Sequence, residues 1–318
     1  MVSAANVDVD VDVDVEREVD VTTSTAQLLV DSRCSLGEGI LWCDRRNVLY
    51  WTDILAGHLW RHDLDSNRSR YWQLPAALGC LALATDGRLL LGLAKGLYAA
   101  DPEAALQQDE LPLQLLCPVE ADDAHTRIND GRVDRHGNFV FGTKSEYADG
   151  RRAGRYYQWS AAHGLRPLPL PLAAIPNAIC FSPQGERIYF CDSPDGRLLS
   201  APYSAANAHT GQVEVFATLA EPGIEPDGAV VDDDGHLWNA HWGAGRVMRY
   251  TDNGDVVAQV LLPASHASCC VLGRDALYIT SARIGLDDTA LAQQPLAGAV
   301  FKLPLHGVSA RVDRVQLP

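Results

Sequence analysis

Several signatures are absent from this 318-residue chain. No apolar run approaches the roughly 20 residues that a membrane helix needs. The N-terminal stretch MVSAANVDVDVDVDVEREVD has neither a basic region nor an apolar core, so it does not read as a secretory signal. There is no C-x-x-C pair among the eight cysteines, which stand at 34, 43, 80, 117, 180, 191, 269 and 270. There is no G-x-S-x-G elbow, so a serine nucleophile of that type is not expected. Basic residues are in deficit, 26 Lys and Arg against 41 Asp and Glu, for a net charge of -15. That balance argues against nucleic acid and anionic membrane as partners. No stretch carries a convincing helical period; only 102–107 and 288–293 read as a helical turn or two.

What is present is ordinary for a globular chain: 47% hydrophobic and 21% charged residues, enough for a sizeable core. Most cysteines stand among strand-like residues and read as small buried thiols in a reducing, cytoplasmic setting. The adjacent pair Cys269-Cys270 points to opposite faces of a strand, where a mutual bridge is disfavoured. Val and Asp alternate from Val7 to Val15 with a dense like-charge row and no unique register. Residues 1–21 therefore read as an acidic disordered tail, and 22–318 as one domain.

Within that domain a theme repeats. Units beginning near Ile40, Cys80, Gly131, Ala178, Ala229 and Cys269 each run strand, polar turn with Gly or Asn, strand, loop, strand. Hairpin chemistry recurring every 40–50 residues or so is the pattern of four-stranded blades. The expected fold is all-β, a six-bladed β-propeller, with a large β-sandwich as the competing architecture. In a propeller the innermost strands surround a channel, so residues distant in sequence meet at its mouth.

The residues that lead into those inner strands are polar. Glu38 lies in SLGEGI; Arg127, Asn129 and Asp130 in TRINDG; Asn177 in IPNAI; Asp227 in EPDGA. Glu38, Asn177 and Asp227 offer oxygen donors, which suit one hard divalent cation such as Ca²⁺, Mg²⁺ or Mn²⁺; Zn²⁺ accepts carboxylates but more often takes His or Cys. Singly, Asn177 and Asp227 fit Asx turns equally well, Glu38 a solvated loop, and Asp130 a loop-backbone acceptor. The shared topological position is what favours the ligand reading. Asp232, Asp233 and Asp234 belong to a hairpin turn. His241 and Trp242 end a strand near the same mouth, either lining the pocket or packing as a strand-end pair. His58 and His62 read as exposed hairpin residues.

These segments resemble the regucalcin and gluconolactonase family. The likeness is carried by LGEGILW, RINDGRVDRHGNFVFGT, IPNAICFSPQGERIYFCDS, EPDGAVVDDDGHLWNAHWGAGRVMRY and LAQQPLAGAVFKL, in order from about Leu36 to Lys302. The resemblance implies a six-bladed propeller that hydrolyses sugar lactones at one divalent cation. It places the metal ligands at Glu38, Asn177 and Asp227, with Asp227 also the acid/base, and substrate-binding groups at Arg127 and Asn129. Ile40 stands where many members have Pro, and Ala178 where many have Gly. Tyr147, just after Glu146, stands where animal members carry a substrate-binding Glu; both are candidate pocket residues. The small-molecule partner implied is a sugar lactone, with no protein partner. A phosphotriesterase-type hydrolase and a non-enzymatic calcium-binding propeller are the competing functions.

Overall fold

The structure is a computed structural model in which residues 21–318 are described. The disordered tail expected at the N-terminus lies, for residues 1–20, outside them. Six small sheets are present. Blade 1 runs Gly37–Cys43, Val48–Asp53, His58–Asp63, Arg68–Gln73; blade 2 runs Leu78–Leu83, Leu89–Leu93, Gly96–Ala100, Gln114–Pro118. Blade 3 runs Thr126–Val133, Phe139–Ser145, Tyr156–Ser160, Gly164–Pro167; blade 4 runs Pro176–Phe181, Arg187–Asp192, Arg197–Ser204, Glu214–Thr218. Blade 5 runs Glu225–Val231, Leu237–Trp242, Arg246–Tyr250, Val256–Leu261. Blade 6 takes Ala267–Leu272, Ala276–Ser281 and Val300–Pro304, and is completed by Gln27–Val30 from the start of the domain. The first strand of every blade packs on the first strands of its two neighbours, closing a ring. The fold is the expected six-bladed β-propeller.

Burial follows layer position. Leu78–Leu83 and Ala267–Leu272 are buried at every residue, because both faces of an inner strand are covered by adjoining blades. The outermost strand Arg68–Gln73 buries only Trp72, whose full burial is worth about 3–5 kcal/mol on truncation to Ala. A further strand, Thr22–Thr25, adds in parallel to the outer edge of blade 5. It covers backbone groups that an open edge would leave unpaired. Of the short helical stretches foreseen, Asp288–Gln293 is a helix with Asp287 as its N-cap, whereas 102–107 is a series of turns. All eight cysteines are free thiols, and every one but Cys117 is buried. His62 departs from its expected exposure: it is buried and its Nδ1 meets Ser69 Oγ at 2.8 Å.

The two ends of the channel differ. At one end the C-terminal segment lies across the opening. Val315 bridges to Ala84, Arg135 pairs with Asp313 at 2.5 Å, and Arg314 pairs with Asp44. Above it, Arg132 reaches across the interior from blade 3 to donate to the carbonyl of Ala229 in blade 5 at 2.6 Å. The other end holds the polar residues singled out from the sequence.

Candidate active site

One local device aims these residues inward. In all six blades the inner strand carries one residue more than its partner over the same register step. The extra residue lies between Glu38 and Leu41, between Ile128 and Gly131, between Asn177 and Cys180, and between Pro226 and Ala229. A bulge breaks strict alternation and re-aims a side chain. In two blades it comes with left-handed backbone: Gly39 has φ 57° and Ala178 φ 58°, directly after Glu38 and Asn177, whereas Asn129 and Asp227 at the equivalent register positions are not left-handed. Gly suits that region, whereas Ala strains it.

Glu38, Arg127, Asn129, Asn177 and Asp227 line one cavity of about 170 Å³, and each retains only 6–8% exposure. A hydrogen-bond chain fixes three of them. Arg127 Nη1 donates to Asn129 Oδ1 at 3.0 Å, and Asn129 Nδ2 donates to Asn177 Oδ1 at 2.9 Å. Asn177 Nδ2 donates to Ser193 Oγ at 3.0 Å, and Ser193 donates to the carbonyl of Pro226 at 2.7 Å. The chain thus runs from blade 3 through blade 4 to the residue before Asp227. Asp130 stands apart from the cavity wall. Its carboxylate accepts from the amides of Gly131 at 2.8 Å and Ile179 at 3.0 Å, which is the backbone role.

Electrostatically the site is strained. Asp227 is pushed well above the ordinary carboxylate range by burial, then by Glu38 and Asp130. Glu38 is pushed up to about 8 by burial and then by Asp130. Asp227 Oδ1 is buried with no hydrogen-bond partner. Two buried carboxylates facing each other beside an amide oxygen, one of their own oxygens orphaned, are a donor set that a hard divalent cation fits.

The remaining candidates are placed as follows. Glu146 reaches Arg127 Nε at 3.3 Å. Tyr147 stacks on His125 at 4.3 Å and carries Arg151 over its ring at 4.0 Å, outside the cavity wall. His241 is buried inside blade 5, its Nε2 2.9 Å from Tyr250 Oη. Because alternate strand residues face opposite ways, the wall there is Trp242, which stacks on His266 at 4.1 Å. Lys144, Ser193 and Glu225 line the cavity as well, and sequence reasoning passed over them. A usable signal existed for two. Lys144 pairs in register with Arg127 at the end of the second strand, and Glu225 directly precedes Pro226-Asp227. Among the described residues a second acidic group, Asp232, Asp234 and His236, occupies the hairpin turn of blade 5. Arg249 already meets Asp232 there at 2.6 Å, and Trp238 Nε1 donates to it at 3.0 Å.

Fold and cavity together define a six-bladed propeller with an oxygen-lined polar cavity among its inner strands, and comparison with known proteins places it among lactone hydrolases. Residues 36–283 match the family described as SMP-30/Gluconolactonase/LRE-like region, and the chain belongs to it. It is 44% identical to an L-arabinolactonase of Azospirillum brasilense over 87% of this chain and 90% of that one. It is 33% identical to a 6-deoxy-6-sulfogluconolactonase of Pseudomonas putida over 87% of this chain and 94% of the relative. Among solved structures it superposes on regucalcin of Agrobacterium tumefaciens, described as a calcium-binding protein, with a TM-score of 0.85 and 31% identity. That superposition covers 94% of this chain and 99% of the other.

Proposed function

We propose that the chain is a metal-dependent hydrolase that opens a sugar lactone to its aldonic acid at the channel mouth. The observation that carries this reading is the orphaned, buried Asp227 Oδ1 beside Glu38 and Asn177. Glu38, Asn177 and Asp227 would hold one divalent cation, whose chemistry there is Lewis-acid polarisation of a carbonyl oxygen. The chain's own residues do the rest. Asp227 takes a proton from the attacking water as its oxygen bonds to the carbonyl carbon. As the ring C–O bond breaks, Asp227 returns that proton to the leaving oxygen, which becomes a hydroxyl. Arg127 and Asn129, locked by the chain of hydrogen bonds to Asn177 and Ser193, orient the lactone and save entropy at the barrier.

The named relatives favour lactones, so L-arabinonolactone is the first substrate to assay. Lactone opening releases acid, so a pH indicator follows it. The assay is run with aldonolactones and with paraoxon, each with chelator and with Ca²⁺, Mg²⁺, Mn²⁺ or Zn²⁺ restored. Lactone turnover that chelator abolishes and a cation restores is the expected result. Turnover of paraoxon alone would make the protein a phosphotriesterase, and turnover of neither would make it a binding propeller.

A further inference from the structure

Two charged side chains in the cavity wall have no task in that mechanism. Lys144 comes from the second strand of blade 3 and Glu225 opens the inner strand of blade 5. Both are half-buried and both line the cavity. The neutral and cationic groups around them are engaged, and among the described residues of the wall only the Asp227 carboxylate keeps a buried unpartnered oxygen. Arg127 holds Asn129 and Glu146, Asn129 holds Asn177, and Asn177 holds Ser193. Among the described residues, neither Lys144 nor Glu225 makes a side-chain hydrogen bond or a salt bridge, to each other or to a third group. Withdrawing charges from water without a partner is costly, so the arrangement is one that a bound molecule completes.

The two groups still feel each other electrostatically. Burial lowers Lys144 below its ordinary value, followed by the charge of Arg127, while Glu146, then Asp227 and then Glu225 act the other way. Glu225 is raised by burial and by Asp192, and Lys144 opposes that. A cation and a carboxylate in one cavity wall sum to no net charge. An anionic substituent on a ligand would therefore meet Glu225 as readily as Lys144, whereas neighbouring hydroxyls satisfy both. A hydroxyl accepts from an ammonium and donates to a carboxylate. Trp242, opposite Glu225 in the strand register and held flat by His266, adds an aromatic face beside the pair.

We propose that Lys144 and Glu225 form a hydroxyl-reading subsite that selects a neutral, vicinally hydroxylated sugar lactone, Lys144 donating to one hydroxyl and Glu225 accepting from its neighbour. This deepens, and rests on, the lactonase reading above. Lys144 and Glu225 are specificity residues; the reacting atoms are handled by Asp227.

The experiment measures kcat and KM for Lys144→Met, Glu225→Gln and the double variant on two substrates, a five-carbon aldonolactone and γ-butyrolactone, whose ring has no hydroxyls. A linear alditol is titrated into the same proteins by calorimetry, and thermal melts confirm folding. A hydrogen bond to a charged group sets the scale. Lys144→Met is expected to lower kcat/KM on the aldonolactone by about 10- to 100-fold, chiefly through KM, and on γ-butyrolactone by less than about threefold. Alditol affinity should fall by a matching factor, and the double variant should lose less than the product of the singles. Equal losses on both lactones would mean that Lys144 acts through the Glu38 and Asp227 carboxylates, and the subsite is overturned. No loss on either overturns it too. If the native protein opens neither lactone, the lactonase reading fails, and the alditol titration alone then decides whether the subsite binds hydroxyls.

Discussion

Removing the charge of Glu38 should stabilise the metal-free protein at alkaline pH. Glu38 is 8% exposed and its folded value is pushed from 4.5 to about 8, by burial and then by Asp130. The folded protein therefore keeps a proton there that the unfolded chain has already lost. Between those two values the native state binds more protons than the unfolded state, so stability falls as pH rises. The contribution is fully present below about pH 4.5 and gone above about pH 8. At 1.36 kcal/mol per pH unit the window amounts to on the order of 5 kcal/mol. Relaxation around buried charges makes that an upper bound. Asp227, raised in the same direction, adds to the slope.

Glu38→Gln keeps the size and one oxygen but cannot ionise. In chelator, urea unfolding at about pH 5 and pH 8 should give the native protein a decline of several kcal/mol and the variant a much shallower one. At pH 8 the variant should be the more stable by about 2 kcal/mol or more. Saturating Ca²⁺ should reverse the order, since a ligand at a hundredfold over its Kd adds about 2.7 kcal/mol to the protein that binds it. A metal-free native protein equally stable at both pH values would show Glu38 and Asp227 to be solvated. The argument that their burial calls for a cation would then fall.

Three other outcomes follow from the site. Asp227→Asn should cut kcat by roughly 10²–10⁴ at saturating metal, because the proton-transfer group is gone, whereas Asn177→Ala should recover much of its activity as cation is raised; full recovery of Asp227→Asn would reduce that residue to a ligand. Arg127→Lys should lower kcat/KM by at least about tenfold although the charge is kept, since Lys has no planar fork to serve Asn129, Glu146 and substrate together; an unchanged value would remove Arg127 from the site. Ala178→Gly should raise stability by up to about 1 kcal/mol in urea titration, because φ 58° costs a residue with a Cβ more than glycine's extra chain entropy does; a loss of stability would show that the Ala178 methyl packs better than its backbone is strained.

The blades were legible because each hairpin is local. Turn residues such as Asn47, Gly137, Gly185, Gly235 and Gly254 adopt positive φ between strands of apolar residues, and that chemistry is written within a few positions. The closure of the ring was not. Gln27–Val30 pairs with Val300–Pro304, some 270 residues away, and nothing in QLLV names its partner. The crossing of the C-terminal segment over the far mouth is equally non-local. Position at the start of an inner strand was enough to group Glu38, Asn129, Asn177 and Asp227, which line one cavity. At the end of the second strand of blade 5, where His241 and Trp242 read either as pocket lining or as a strand-end pair, strand alternation packs the imidazole within the blade and gives the cavity Trp242. The inner-strand criterion missed Lys144 because that residue ends a second strand, and only the register brings it beside Arg127.

The bulges explain why the site sits at one mouth and why its members had to be where they are. Each blade begins on its inner strand and leaves outward through three antiparallel partners, so all six inner strands start at the same end of the channel. Regular alternation would send neighbouring residues there to opposite faces of the strand, half of them into the gaps between blades. One extra residue per inner strand breaks that rule at the mouth and nowhere else along the strand. Residues of two adjacent register positions can then face one cavity: Glu38 and Asn177 at the position held in other blades by Ile128 and Pro226, and Asn129 and Asp227 one residue on. In blade 4 the irregularity also carries Ala178 into the left-handed region, as it carries Gly39 in blade 1, while the equivalent Asn129 and Asp227 escape it. The left-handed backbone belongs to the two blades that present Glu38 and Asn177 and not to the bulge as such.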